Sequence, residues 1–170
     1  APAILPMPAG SRIPHLALQA GKDAKLRLVD LANLSGQGGP GHIGGEIGPV
    51  IDLPQGGEVV AQPAVWVNPV DGSIWAFIAN VSGISAVLVT TDASGVPALV
   101  PQWRREEGGA SPLVANNIVY YARTGVLSAL DPTTGALLWK SDLIGAIHWE
   151  SPVVANGVLY MTDEQQLLSA

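Results

Sequence analysis

The sequence predicts an all-β fold made of repeated four-stranded antiparallel units, and three observations carry that prediction. The first is a regular alternation of short apolar runs and turn residues. Leu113-Val114-Ala115, Ile118-Val119-Tyr120-Tyr121, Val126-Leu127-Ser128-Ala129-Leu130 and Ala136-Leu137-Leu138-Trp139 are separated by Asn116-Asn117, Arg123-Thr124-Gly125 and Asp131-Pro132-Thr133-Thr134-Gly135. Short strands at this spacing read as an antiparallel meander. The second is the abundance of breakers: 20 glycines and 14 prolines in 170 residues leave little room for long helices. The one helix candidate, residues 23–34, reads equally as a strand (Leu26-Arg27-Leu28-Val29) and a turn. The third is repetition. Ser111-Pro112-Leu113-Val114-Ala115-Asn116-Asn117-Ile118-Val119-Tyr120 returns 40 residues later as Ser151-Pro152-Val153-Val154-Ala155-Asn156-Gly157-Val158-Leu159-Tyr160. Weaker echoes at Gln62-Pro63-Ala64-Val65-Trp66-Val67 and Ile13-Pro14-His15-Leu16-Ala17-Leu18 set the prolines at 14, 63, 112 and 152, spaced 49, 49 and 40 apart. A unit of about 40–50 residues with four short strands is the size of one β-propeller blade. Such a sheet buries both faces only against neighbouring blades.

The elements follow in order. Residues 1–10 carry the apolar stretch Ala3-Ile4-Leu5-Pro6-Met7 and are expected as a closing strand. Residues 2–8 would then pair with the outer edge of the last unit, in the same chain or in a partner copy, since proline is tolerated on a sheet edge. Residues 11–57 form a degenerate blade. Its turn is placed at Asp30 to Gly36, no tryptophan follows, and the stretch from Gly36 to Pro49 reads as a long loop. Residues 58–106 and 107–145 are full blades. In each, a proline opens the inner strand, where the missing N–H costs little. Asn116-Asn117 supplies the positive φ angles of a tight hairpin, and Asp71-Gly72 does the same within the loop from Asn68 to Ser73. The third strands end at Asp92-Ala93-Ser94-Gly95 and at Asp131 to Gly135; the fourth carry Trp103 and Trp139. Residues 146–170 form an incomplete blade with its hairpin at Asn156-Gly157, ending after the third strand at Leu167-Leu168-Ser169-Ala170.

Ala129-Leu130-Asp131-Pro132-Thr133-Thr134-Gly135-Ala136-Leu137-Leu138-Trp139 resembles the Ala…Asp-x-x-Thr-Gly-x-x-x-Trp motif of the pyrroloquinoline-quinone-type (quinoprotein-like) β-propeller repeats. The likeness is most specific over 107–170, weaker over 58–106, where Gly95 to Trp103 is four residues longer than Gly135 to Trp139, and weakest over 1–57. It implies that Trp139 and Trp103 wedge between blades, with Ala129 the small partner of Trp139. It also implies that Trp139→Ala costs more than Trp103→Ala, about 3–5 kcal/mol for a buried aromatic. Complete members have about seven or eight blades, so about four units imply a partial ring or a fragment of a larger propeller. The family holds quinone- and Ca²⁺-dependent dehydrogenases as well as non-catalytic binding propellers.

Composition narrows the function. The net charge is −6, with 8 basic against 14 acidic side chains. Only Lys22/Lys25/Arg27 and Arg104-Arg105 approach a cluster, so no nucleic-acid partner is expected. The absence of cysteine removes disulfides, thiolate-ligated zinc and iron–sulfur sites. No apolar run reaches the roughly 18 residues of a membrane span. The start of the chain has neither a basic region nor an unbroken apolar core, so no signal peptide is present in it. It reads as a processed or excised piece of a longer chain.

Candidate chemistry is thin. Gly39-Pro40-Gly41-His42-Ile43-Gly44 fits Gly-x-Gly-x-x-Gly, but Gly45-Glu46-Ile47-Gly48-Pro49 cannot continue as the helix a pyrophosphate needs. His148-Trp149-Glu150 offers a stacking ring and a carboxylate near an inner strand, yet reads as a blade-edge aromatic beside a solvated acid. His15, His42 and His148 lie one per unit without metal spacing. Glu106-Glu107 and Asp163-Glu164 read as exposed turn charges. Trp66, Trp75, Tyr120, Tyr121 and Tyr160 read as strand core. No catalytic, cofactor-binding or metal-ligating residue is assigned, and no cofactor is expected. The expected function is a non-catalytic, extracytoplasmic binding or scaffolding module, in the periplasm or at the cell surface. Its partners would be a protein or the remaining blades of a larger chain, with self-association if no ring forms. The alternative is a fragment of a pyrroloquinoline-quinone-dependent dehydrogenase.

Overall fold

The computed structural model describes residues 1–34 and 44–170. Four antiparallel sheets follow one another along the chain, each built from consecutive strands. The first holds β1 (Ala3–Leu5), β2 (Leu16–Ala20), β3 (Lys25–Asp30) and β4 (Glu46–Asp52). The second holds β5 (Ala64–Val67), β6 (Ile74–Asn80), β7 (Gly83–Thr91) and β8 (Pro97–Arg105). The third holds β9 (Leu113–Ala115), β10 (Ile118–Arg123), β11 (Val126–Leu130) and β12 (Leu137–Ser141). The fourth holds β13 (Val153–Ala155), β14 (Val158–Thr162) and β15 (Leu168–Ser169). The first strands of the first three sheets touch in sequence, β1 against β5 and β5 against β9. These strands form the inner side of the arrangement.

Turn chemistry acts where the sequence put it. Asn116 and Asn117 take φ of 51° and 60°, and Asn156 and Gly157 take 51° and 78°, as a tight hairpin requires. Pro63, Pro112 and Pro152 each stand immediately before an inner strand.

The first sheet differs from expectation in two ways. Ala3↔Leu18 and Leu5↔Leu16 pair β1 with β2, so residues 3–5 are the inner strand of the first sheet and not a closing strand on the last one. Leu5 is 2% exposed and packs with Leu16, Leu18 and Leu28, which supplies the reason: burial there outweighs an edge position. The repeat therefore starts at Pro2, and Pro14 lies in the connection before β2. The stretch from Gly36 to Pro49 is also not all loop, because β4 runs from Glu46 to Asp52. Its Gly48-Pro49 pair sits in a bulge, between the pairs Leu28↔Ile47 and Leu26↔Ile51. A proline that cannot join a ladder is tolerated in that position. Gly48 has φ +66°, and a Cβ there would lie 2.4 Å from the Pro97 carbonyl of the second sheet.

Side-chain alternation welds the sheets together. Along β6, Ile74, Ala76 and Ile78 face the first sheet, while Trp75, Phe77 and Ala79 face the third. Every residue of β6 is buried for that reason. Trp66 and Trp75 satisfy their indole N–H groups on Asn117 Oδ1 at 3.0 Å and Ser73 Oγ at 2.8 Å. The third and fourth sheets share a smaller core of Ala122, Leu127, Ile144 and Met161. Tyr121 is core, as expected; Tyr120 and Tyr160 are only half-buried.

Candidate functional site

The contact between the second and third sheets defines what a completed seam looks like. Trp103 on β8 pairs with Ala86 on β7, immediately before a register shift. Its ring lies 5.8 Å from that of Phe77, and its indole N–H donates to the Pro132 carbonyl at 2.9 Å. Its six-membered ring covers Gly135, where a Cβ would come within 2.7 Å of Trp103 Cδ2. Gly135 is also required by its φ of +70°.

Asp131 builds that turn. Its carboxylate accepts from Thr133 Oγ1 at 2.7 Å, Thr133 N at 2.9 Å and Thr134 N at 2.8 Å. The Thr133 hydroxyl, aided by the Thr134 donors and the Thr133 amide, holds the carboxyl below its ordinary pKa against partial burial. Asp92 repeats the device with Ser94 Oγ at 2.7 Å and Val96 N at 2.9 Å.

Trp139 repeats only half of it. It pairs with Ala129, again beside a register shift, yet it is 48% exposed. The expectation of a fully wedged Trp139 is corrected: no turn of the described chain covers it, because the neighbouring sheet presents only the two-residue β15 on that side. What remains is a cleft of about 760 Å³ between the third and fourth sheets. Tyr120, Ala129, Leu138 and Trp139 form one wall; Val158, Leu159 and Ser169 form the other. β15 is the edge strand of its sheet. Leu138 and Leu143 at the cleft are 56% and 82% exposed, and Leu168 of β15 is 65% exposed.

The other sequence candidates do not converge. Gly44, the last glycine of the dinucleotide-like run, leads into strand β4; residues 39–43 lie outside the described residues. His148 and Trp149 stack at 4.3 Å on the surface, and Glu150 turns back to accept from the His148 amide at 2.6 Å. That amide, with those of Glu150 and Trp149, holds the Glu150 carboxyl below its ordinary pKa. His15 belongs to the connection before β2, far in sequence from His148, and His42 is outside the described residues. Among the described residues, no group of three or more His, Cys, Asp or Glu is placed to hold a metal ion. Asp163 corrects the reading of an exposed turn charge. It is 7% exposed and accepts from the amides of Gly145, Gln165 and Leu167 at 2.9, 2.9 and 3.1 Å. Burial alone would raise its carboxyl, but these three donors bring it below the ordinary value.

Blade-like antiparallel sheets following one another side by side are the architecture of a β-propeller, the fold implied by the resemblance at Ala129 to Trp139. Residues 94–170 match the family model described as outer membrane protein assembly factor BamB. No curated protein matches the chain. Among solved structures, BamB from Moraxella catarrhalis is similar in fold, with a TM-score of 0.55 and 18% identity, over 86% of this chain and 43% of that one. The chain thus spans less than half the length of that structure. Among the described residues no helix is long and apolar enough to cross a membrane.

Proposed function

We propose that the chain is a non-catalytic propeller segment that binds protein, and that the cleft beside β15 receives a β-strand of the bound polypeptide. The observation that carries this reading is Trp139, half-exposed over an apolar cleft next to an unpaired strand edge. Such an edge recruits a strand through main-chain hydrogen bonds, while side-chain pockets set the fit. The seam at Trp103 states the chemistry of the occupant: an aspartate-led turn that lays a glycine on the indole, followed by an apolar strand. This treats residues 1–170 as one segment, with later units dividing near 58, 107 and 146. The match to a family described as an outer membrane protein assembly factor supports an extracytoplasmic position, in the periplasm or at the cell surface.

The probe is a synthetic peptide of this chain's own residues 128–141, which carries the turn and strand that seal the previous seam. Titrated into the intact chain and followed by calorimetry, it should bind saturably, and Trp139→Ala should abolish the heat. Absence of binding, or binding indifferent to Trp139→Ala, overturns the reading.

A further inference from the structure

A second pocket lies in the seam between the second and third sheets, apart from the cleft at Trp139. It measures about 120 Å³ and is lined by Arg105 and Glu107 from one side and by Tyr121, Arg123, Ser128 and Lys140 from the other. Strand register brings the second group together. Tyr121 pairs with Ser128 across β10 and β11, and Ser128 pairs with Lys140 across β11 and β12. Arg123 stands two residues beyond Tyr121, on the same face of β10. Three of the chain's 8 basic side chains meet here, in a protein of net charge −6.

Their bonding is incomplete. Arg105 ends β8 and reaches across the seam, donating through Nη1 to the Gly135 carbonyl at 3.2 Å and through Nη2 to Glu107 Oε1 at 3.0 Å. Its Nε is buried without a hydrogen-bond partner, a state that buried donors rarely keep. Among the described residues, neither Arg123 nor Lys140 forms an ion pair. The one carboxylate in the pocket, Glu107, is already engaged by Arg105. Burial raises the Tyr121 phenol, and Glu107 pushes it the same way. It stays protonated and able to donate at neutral pH.

We infer that this pocket binds a single oxoanion group, a carboxylate or a phosphate or sulfate, between Arg123, Lys140 and the guanidinium of Arg105. Charge calls for an anion, because three cations converge on a pocket whose one carboxylate is already engaged. Size limits the ligand to one acidic group and leaves no room for a nucleotide. The site lies in a different seam from the strand-binding cleft, so either stands if the other fails.

The experiment titrates the intact chain with sodium acetate and, separately, with inorganic phosphate, at ionic strength held constant with chloride. The Nε–H resonances of the arginines are followed by nitrogen-15 NMR. Saturable movement of the Arg105 Nε–H is expected with at least one anion; preference for acetate marks a carboxylate ligand, and preference for phosphate a tetrahedral one. Arg123→Gln with Lys140→Gln, both at exposed positions, should weaken the affinity about tenfold or more, while Lys22→Gln with Lys25→Gln leaves it unchanged. No saturable shift with either anion, or equal affinity in the Arg123/Lys140 variant, overturns the inference.

Discussion

Two tryptophans, each paired with an alanine on the adjacent strand, differ in what covers them, and the difference decides their energetics. Trp103 lies on Gly135 and donates to Pro132, whereas Trp139 has no such turn over it. Trp103→Ala should therefore cost about 2–4 kcal/mol, and Trp139→Ala no more than about 1 kcal/mol, measured by urea unfolding. A larger loss at Trp139 would show that the cleft is closed in solution. Gly135→Ala should cost about 1–2 kcal/mol from its left-handed backbone alone, plus displacement of the Trp103 ring. In a Trp103→Ala background the second part should vanish, a coupling that a double-mutant cycle reads directly. Asp131 predicts the acid response. Its folded pKa lies below the unfolded value of about 3.9, so its stabilisation is complete above that pH. It is lost as pH falls and the unfolded chain takes up the proton first. Asp131→Asn should flatten the fall of melting temperature between about pH 5 and pH 2. The Ala129–Trp139 pair was legible in the sequence because its members lie ten residues apart around one turn. Ala86 was not: it lies 17 positions before Trp103, and only the long β7–β8 ladder brings them together.

Among the elements, the inner strands were legible wherever a tight hairpin followed them. Asn116-Asn117 and Asn156-Gly157 fix both arms of their hairpins within ten residues, so the Pro112 and Pro152 strands could be read locally. The first sheet was not legible in this way. Ten residues separate Leu5 from Leu16, which hides the pairing of β1 with β2 and makes Pro14 look like the strand opener. In the same sheet, Gly48-Pro49 reads as loop because sequence alone does not reveal a bulge that absorbs both breakers. The site cleft was legible only as its tryptophan, since its emptiness depends on how β12 and β15 stand to each other. The corrected role of β1 has a direct test. Leu5→Ala should destabilise by about 2–5 kcal/mol, as for other buried leucines, and deletion of residues 1–6 should lower the melting temperature at least as far. A dispensable leader, with stability unchanged on deletion, would contradict the pairing of Ala3–Leu5 with β2.

Across the whole molecule, burial falls from the first two sheets to the last. β6 is buried along its full length, while β13 and β15 have exposed and half-exposed residues only. Amide hydrogen exchange should follow that order, slowest in β6 and β7 and fastest in β13 to β15, since local opening is easiest where few apolar contacts are lost. Equal protection across all four sheets would mean that the last one is covered in solution. The way the sheets are assembled has a consequence for biosynthesis. Every strand ladder closes between neighbours in the sequence, so a chain emerging from the ribosome completes each sheet before the next one appears. The newest sheet nevertheless waits with one greasy face bare until another unit has been translated. The demand for chaperone protection therefore travels with the growing end, and it is relieved behind that end one blade at a time.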